Sequence, residues 1–93
     1  MGEQAAVCQA IAGRRLLRFA YNGRSRLVVP CSHGVLDTGN EALRAHEMAA
    51  PRLGKLFLLR SMVGAEVCVE GFDAAPAGYR RGDSAMAWIH CQL

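Results

Sequence analysis

The stretch "EALRAHEM", residues 41 to 48, decides how this chain is read. Its composition favours a helix, because Glu, Ala, Leu and Met lose little freedom in one. As a strand it sorts differently. Leu43 and Ala45 then face one side, while Arg44 and His46 emerge together on the other. Taken alone, the segment stays ambiguous. Pro51 and Gly54, in "APRLG", interrupt any helix that runs on from it.

The neighbouring segments speak for strands. In "LLRFAY", Leu17, Phe19 and Tyr21 alternate with Leu16, Arg18 and Ala20, the period of a half-buried strand. Asn22-Gly23 is a strong hairpin signal, since both residues tolerate the positive φ of a tight turn. "SRLVVP" returns as the second strand, and Pro30 suits its end, where a missing donor does little harm. Cys31 to Asn40 reads as loop, with Gly34 and Gly39 flanking at most a very short strand. "KLFLLR" places Phe57 and Leu59 on one side of a strand and Leu56 and Leu58 on the other, and Val67 and Val69 give a short alternation between glycines. "EQAAVCQAIAG" forms a helix over about 4–12, with Val7 and Ile11 one turn apart and Gly13 at its end. "DAAPAGYRRG" is turn-rich surface. Asp83 then caps a final helix over about 84–92, where Trp88 serves as a packing anchor. The sum is one mainly β domain with terminal helices. About five short antiparallel strands over residues 15–60 form a small, partly open barrel.

Composition sets limits on function. The 93 residues carry a net charge of +3, but residues 1 to 30 hold five arginines against Glu3. A basic first hairpin built on Arg18, Arg24 and Arg26 suits an anion or nucleic acid, or simply solvates a sheet edge. The four cysteines, Cys8, Cys31, Cys68 and Cys91, are widely spaced, with no secretory leader pattern before them. Free thiols in a reducing cytoplasm are therefore expected. No apolar run is long enough to cross a bilayer, so no membrane partner is expected.

No complete catalytic motif occurs, and an enzyme is the weaker reading. Cys31-x-His33, His46-Glu47 and His90-Cys91 offer soft ligands, but there is no CxxC pair or HExxH helix, and neither a metal nor a cofactor is expected. No phosphate-binding glycine loop is present. The most informative pair is Arg44 with His46. Arginine grips a phosphate or carboxylate through two parallel donors, and histidine adds a partner that titrates near neutrality. Arg26, Tyr21 and His33 complete the candidate ligand set, with the Tyr21 ring over the core and its hydroxyl in water.

The order of "AIAGRRLLRFAYNGRSRLVVPCSHG", "NEALRAHE", "LFLLRSMVGAEV" and "FDAAPAGYRRGD" resembles the WYL domain, especially its short stand-alone bacterial relatives. The resemblance covers most of the chain. It implies an SH3-like (Sm-like) barrel in which "EALRAHE" is a strand despite its composition. It also implies a bacterial setting of transcription regulation or phage defence, with ligand or nucleic-acid binding rather than catalysis. The namesake tripeptide falls on Glu41-Ala42-Leu43, where only Leu43 keeps its identity, and Ser61 stands where a second arginine is usual. Without a helix-turn-helix, a regulatory role requires a separate DNA-binding chain.

Three functions follow as expectations. The first is a non-catalytic module for a small anionic ligand or nucleotide, clamped by Arg44. The second is weak single-stranded nucleic-acid binding over the first hairpin. The third is a homodimerisation module using Leu16, Leu56 and Leu58.

Overall fold

The computed structural model describes residues 3–49 and 54–93, so Pro51 lies outside the described residues. Among these residues one α-helix, α1 (Glu3–Gly13), precedes six strands, with a 3-10 turn at Leu59–Ser61 between the fourth and fifth: β1 (Arg15–Tyr21), β2 (Arg24–Leu36), β3 (Glu41–Glu47), β4 (Lys55–Leu58), β5 (Met62–Gly71) and β6 (Met86–Gln92). All pairings are antiparallel, in the order β4-β3-β2-β1-β5, with β6 added to β2. The sheet is open. The partly open barrel is not seen, because β4 and β5 stand at opposite ends of the strand order and do not pair.

The first hairpin forms as its sequence directs. Asn22 and Gly23 both take positive φ, 52° and 73°, and Tyr21 pairs with Arg24 across the turn. Segment 41–47 is a strand. Its intrinsic helix preference, a few tenths of a kcal/mol per residue, is outweighed by pairing on both sides and by burial of Leu43 and Ala45. The core lies between this face of the sheet and α1, and includes Val7, Ile11, Leu17, Phe19, Val28, Leu43 and Phe57.

Several expectations need correction. Residues 31–36 are not loop. β2 runs thirteen residues and pairs in succession with β1, β3 and β6, through a bulge between Pro30 and Ser32. Pro30 therefore sits inside the strand, at the irregularity that tolerates its missing donor. Strands also extend well past residue 60, with β5 ten residues long. The expected helix over 84–92 is strand β6, whose backbone groups are satisfied by the second half of β2. Its helix-like apolar spacing gave way to that pairing, and Trp88 is 66% exposed rather than a packing anchor. Leu16 is buried, so it cannot contribute to a dimer face as expected.

β6 approaches β2 closely enough to demand a glycine. A Cβ on Gly34 would stand 2.1 Å from the Trp88 carbonyl oxygen and 2.8 Å from the Met86 sulfur. The same approach brings Cys91 beside α1, where it forms a disulfide with Cys8, 83 residues earlier. The expectation of four free thiols is thus overturned for two of them; Cys31 and Cys68 remain free. Among the described residues, no helix is long and apolar enough to cross a membrane.

Gly34→Ala is expected to destabilise the fold by about 1–3 kcal/mol, as overpacking does, because a backbone atom rather than a flexible side chain blocks the new methyl. Urea unfolding of the variant measures this. A stability equal to that of the parent would mean β6 does not lie this close to β2.

Candidate functional site

Alternation along β3 divides its side chains between two faces. Leu43 and Ala45 enter the core, while Arg44 and His46 line one cleft on the opposite face, as the extended reading requires. The cleft, of about 550 Å³, is closed on its far side by the loop Gly78–Ser84. Cys31 also lines it, because the bulge turns both Cys31 and Ser32 away from the core. Burial pushes the Cys31 thiol up to about 11, so it holds its proton and is no nucleophile near neutrality.

Arg44 is not free to clamp a ligand by itself. Its Nε donates to Asp83 Oδ2 at 2.7 Å, its Nη2 to Asp83 Oδ1 at 3.2 Å, and its Nη1 to the Gly54 carbonyl at 3.1 Å. Three of the five guanidinium N–H groups are thus engaged within the fold. Asp83, read in the sequence as a helix cap, also accepts from the backbone N–H of Ala85 at 2.9 Å, forming a tight local turn instead. The hydrogen bonds from Arg44 hold the Asp83 carboxyl below its ordinary range, against the opposing effect of burial. The pair fastens the loop across the outer face of β3.

Arg80 and Arg81 complete the lining. Both are exposed. Arg81 Nε donates to the Leu93 carbonyl at 2.9 Å, which orients this side chain and leaves its terminal nitrogens available. Among the described residues, the cleft lining therefore holds three arginines and His46 against one carboxylate, that of Asp83.

The other candidate residues lie elsewhere. Arg26 is on the core face of the sheet, bonded to Glu47 at 2.9 Å and 5.9 Å from the ring centres of both Tyr21 and Phe57. Glu47 is held below the usual carboxylate range, first by Lys55 and then by Arg26. The Tyr21 ring packs edge-on against Phe57 at 5.0 Å, as expected, but its hydroxyl accepts the Leu58 N–H rather than reaching only water. Arg18 and Arg24 fall on different faces. Arg18 pairs across from Leu27, whereas Arg24 pairs across from Tyr21, so no single basic surface carries Arg18, Arg24 and Arg26.

His33 is separated from the cleft by the same bulge. It stands opposite Leu43, on the core side, 98% buried among Cys8, Cys91 and Glu41. Burial lowers its pKa, and the opposing pull of Glu41 does not cancel that effect. The Cys31-x-His33 pair therefore never becomes a joint ligand set.

Sequence reasoning missed Asp83, Arg80 and Arg81 as cleft residues, and the proximity of Cys8 to Cys91. The arginine pair was visible only as polar loop, and nothing local links the two cysteines. Comparison with family models, curated proteins and solved structures finds no match for this chain.

Arg44→Ala leaves the poorly exposed Asp83 carboxylate without its partner and is expected to cost about 1.5–3 kcal/mol, the range for hydrogen bonds to charged groups. A double-mutant cycle with Asp83→Asn measures the coupling; additive losses would show that the two side chains do not interact. Because the folded pKa of Asp83 is depressed, its stabilising effect is complete above the unfolded value near 4 and is lost as pH falls through the folded value. Unfolding measured from pH 7 downward should show stability declining below about pH 4, with a shallower decline in Asp83→Asn.

Proposed function

We propose that this chain is a non-catalytic binding module for a small anionic ligand, carrying phosphate or carboxylate groups, held in the cleft between β3 and the Gly78–Ser84 loop. The observation that carries this reading is the excess of positive charge there, three arginines facing one aspartate. Arg80 and Arg81 supply the uncommitted charge and donors. Arg44 acts mainly as a positioning residue, since Asp83 neutralises it and both together fix the loop. His46 forms part of the floor. The volume falls in the range that accepts small molecules, about 300–1,000 Å³.

Extension of residues 41–47, and the single cleft shared by Arg44 and His46, support the WYL-like reading. The SH3-like barrel that the resemblance also implies would need β4 and β5 to pair, and here the sheet is open. Anion binding is favoured over nucleic-acid binding because the hairpin arginines divide between faces, whereas Arg44, Arg80 and Arg81 line one cleft. Trp88 also borders a shallow groove that shares Gly82, Asp83 and Ser84 with the cleft, so this single tryptophan is a natural reporter of binding.

Fluorescence and calorimetric titration with inorganic phosphate, citrate and a nucleoside monophosphate at low salt provides the test. Saturable binding is expected, weakened about tenfold for each lost charge-assisted contact in Arg80→Ala and Arg81→Ala. It should also weaken as salt rises. Absence of saturable binding to any of the three, or unchanged affinity in the double variant, would reject this function.

A further inference from the structure

A second cluster of chemistry-bearing side chains lies on the other face of the sheet, outside the anion cleft. Cys8 comes from the middle of α1, His33 from β2, Cys91 from β6 and Glu41 from the start of β3. His33 Nδ1 stands 3.2 Å from the Cys8 sulfur and 3.8 Å from the Cys91 sulfur. Its Nε2 meets Glu41 Oε1 at 2.7 Å, and Gln4 donates to the other oxygen of that carboxylate. Because Glu41 takes the Nε2 hydrogen, the lone pair of the neutral ring resides on Nδ1 and points at two sulfurs. In the disulfide state neither sulfur carries a hydrogen to offer it. Among the described residues, a buried acceptor thus faces the sulfur pair without a donor, which a disulfide alone gives no reason to build.

We propose that the reduced chain binds one zinc(II) ion through the Cys8 and Cys91 thiolates and His33 Nδ1, with Glu41 as the carboxylate behind the histidine. The ligand atoms of Cys8, His33 and Cys91 already lie within 4.8 Å of one another. Zinc–sulfur and zinc–nitrogen bonds of about 2.3 and 2.05 Å at a tetrahedral angle separate S from N by roughly 3.5 Å. The two observed nitrogen–sulfur distances fall on either side of that value. A histidine that binds through one nitrogen and donates the other N–H to a carboxylate is the arrangement that fixes ring orientation and strengthens zinc ligation. Three protein ligands leave the fourth position to water.

The disulfide and the zinc complex are alternative states of the same residues. A dithiol reductant supplies two electrons and two protons; the Cys8–Cys91 bond breaks, two thiols form, and the reductant becomes a disulfide. Zinc then displaces both thiol protons to solvent, giving two zinc–thiolate bonds. In either state α1 remains tied to β6. The cluster therefore acts as a redox-switched metal site rather than as a simple staple.

The test uses the full chain with Cys31→Ala and Cys68→Ala, so that Cys8 and Cys91 carry the only thiols. It is reduced with a phosphine, and cobalt(II) is added without oxygen. One cobalt per chain is expected, with thiolate charge-transfer and four-coordinate d–d absorption, both bleached by one equivalent of zinc. The oxidised chain should show neither. His33→Ala should weaken binding well over tenfold, and Glu41→Gln by about 10–100-fold. No thiolate–cobalt absorption in the reduced chain would overturn the proposal, as would unchanged affinity in His33→Ala. Circular dichroism monitors folding throughout. A reduced chain that loses its strand signal and does not regain it with zinc overturns the proposal as well.

Discussion

Both clusters described above depend on the way β3 lies against β2. The pairing sets Pro30 opposite Ala45, and after one bulged residue sets Ser32 opposite Arg44 and His33 opposite Leu43. A one-residue change of register moves every later side chain to the other face of a sheet. Here the change comes halfway along β2. Cys31 and Ser32 turn outward toward Arg44 and His46, and His33 turns inward toward Cys8 and Cys91. Without the bulge, Cys31 and His33 would share a face, and neither the floor of the cleft nor the sulfur–imidazole cluster would assemble.

Charge pairing then decides which basic groups remain available. Arg26 is occupied by Glu47 and the rings of Tyr21 and Phe57, and Arg44 is occupied by Asp83 and Gly54. These part-buried arginines reinforce the sheet and its overlying loop. The exposed Arg80 and Arg81, on a loop anchored beneath by the Arg44–Asp83 pair, retain donors for an outside anion. Anchoring lowers the ordering cost of a loop when a ligand arrives, since its backbone is already constrained.

Local signals were readable where backbone chemistry or alternation was unopposed. Asn22-Gly23 specified its hairpin, the alternation in 16–21 specified β1, and the two faces of β3 followed from its extended form. The helix at the start was likewise legible from Val7 and Ile11. The signals failed where tertiary pairing overrode local preference. "SAMAWIHCQL" carries apolar residues at helical spacing, yet edge pairing with β2 holds it extended. The loop reading of 31–40 took Gly34 as a breaker, when its missing side chain makes room for β6. Asp83 has the same look in sequence whether it caps a helix or grips an arginine 39 residues away. Cys8 and Cys91 have no spacing to betray them, because only the return of β6 past α1 makes them neighbours.

The most direct examination of this arrangement is the cross-strand contact pattern between β2 and β3, read from backbone proton NOEs in solution. Register with the bulge places the His33 backbone opposite Leu43 and Ser32 opposite Arg44. Contacts continuing without interruption from Pro30–Ala45, so that His33 faces Ala42 instead, would return His33 to the same side as Cys31 and dissolve the division between cleft and cluster.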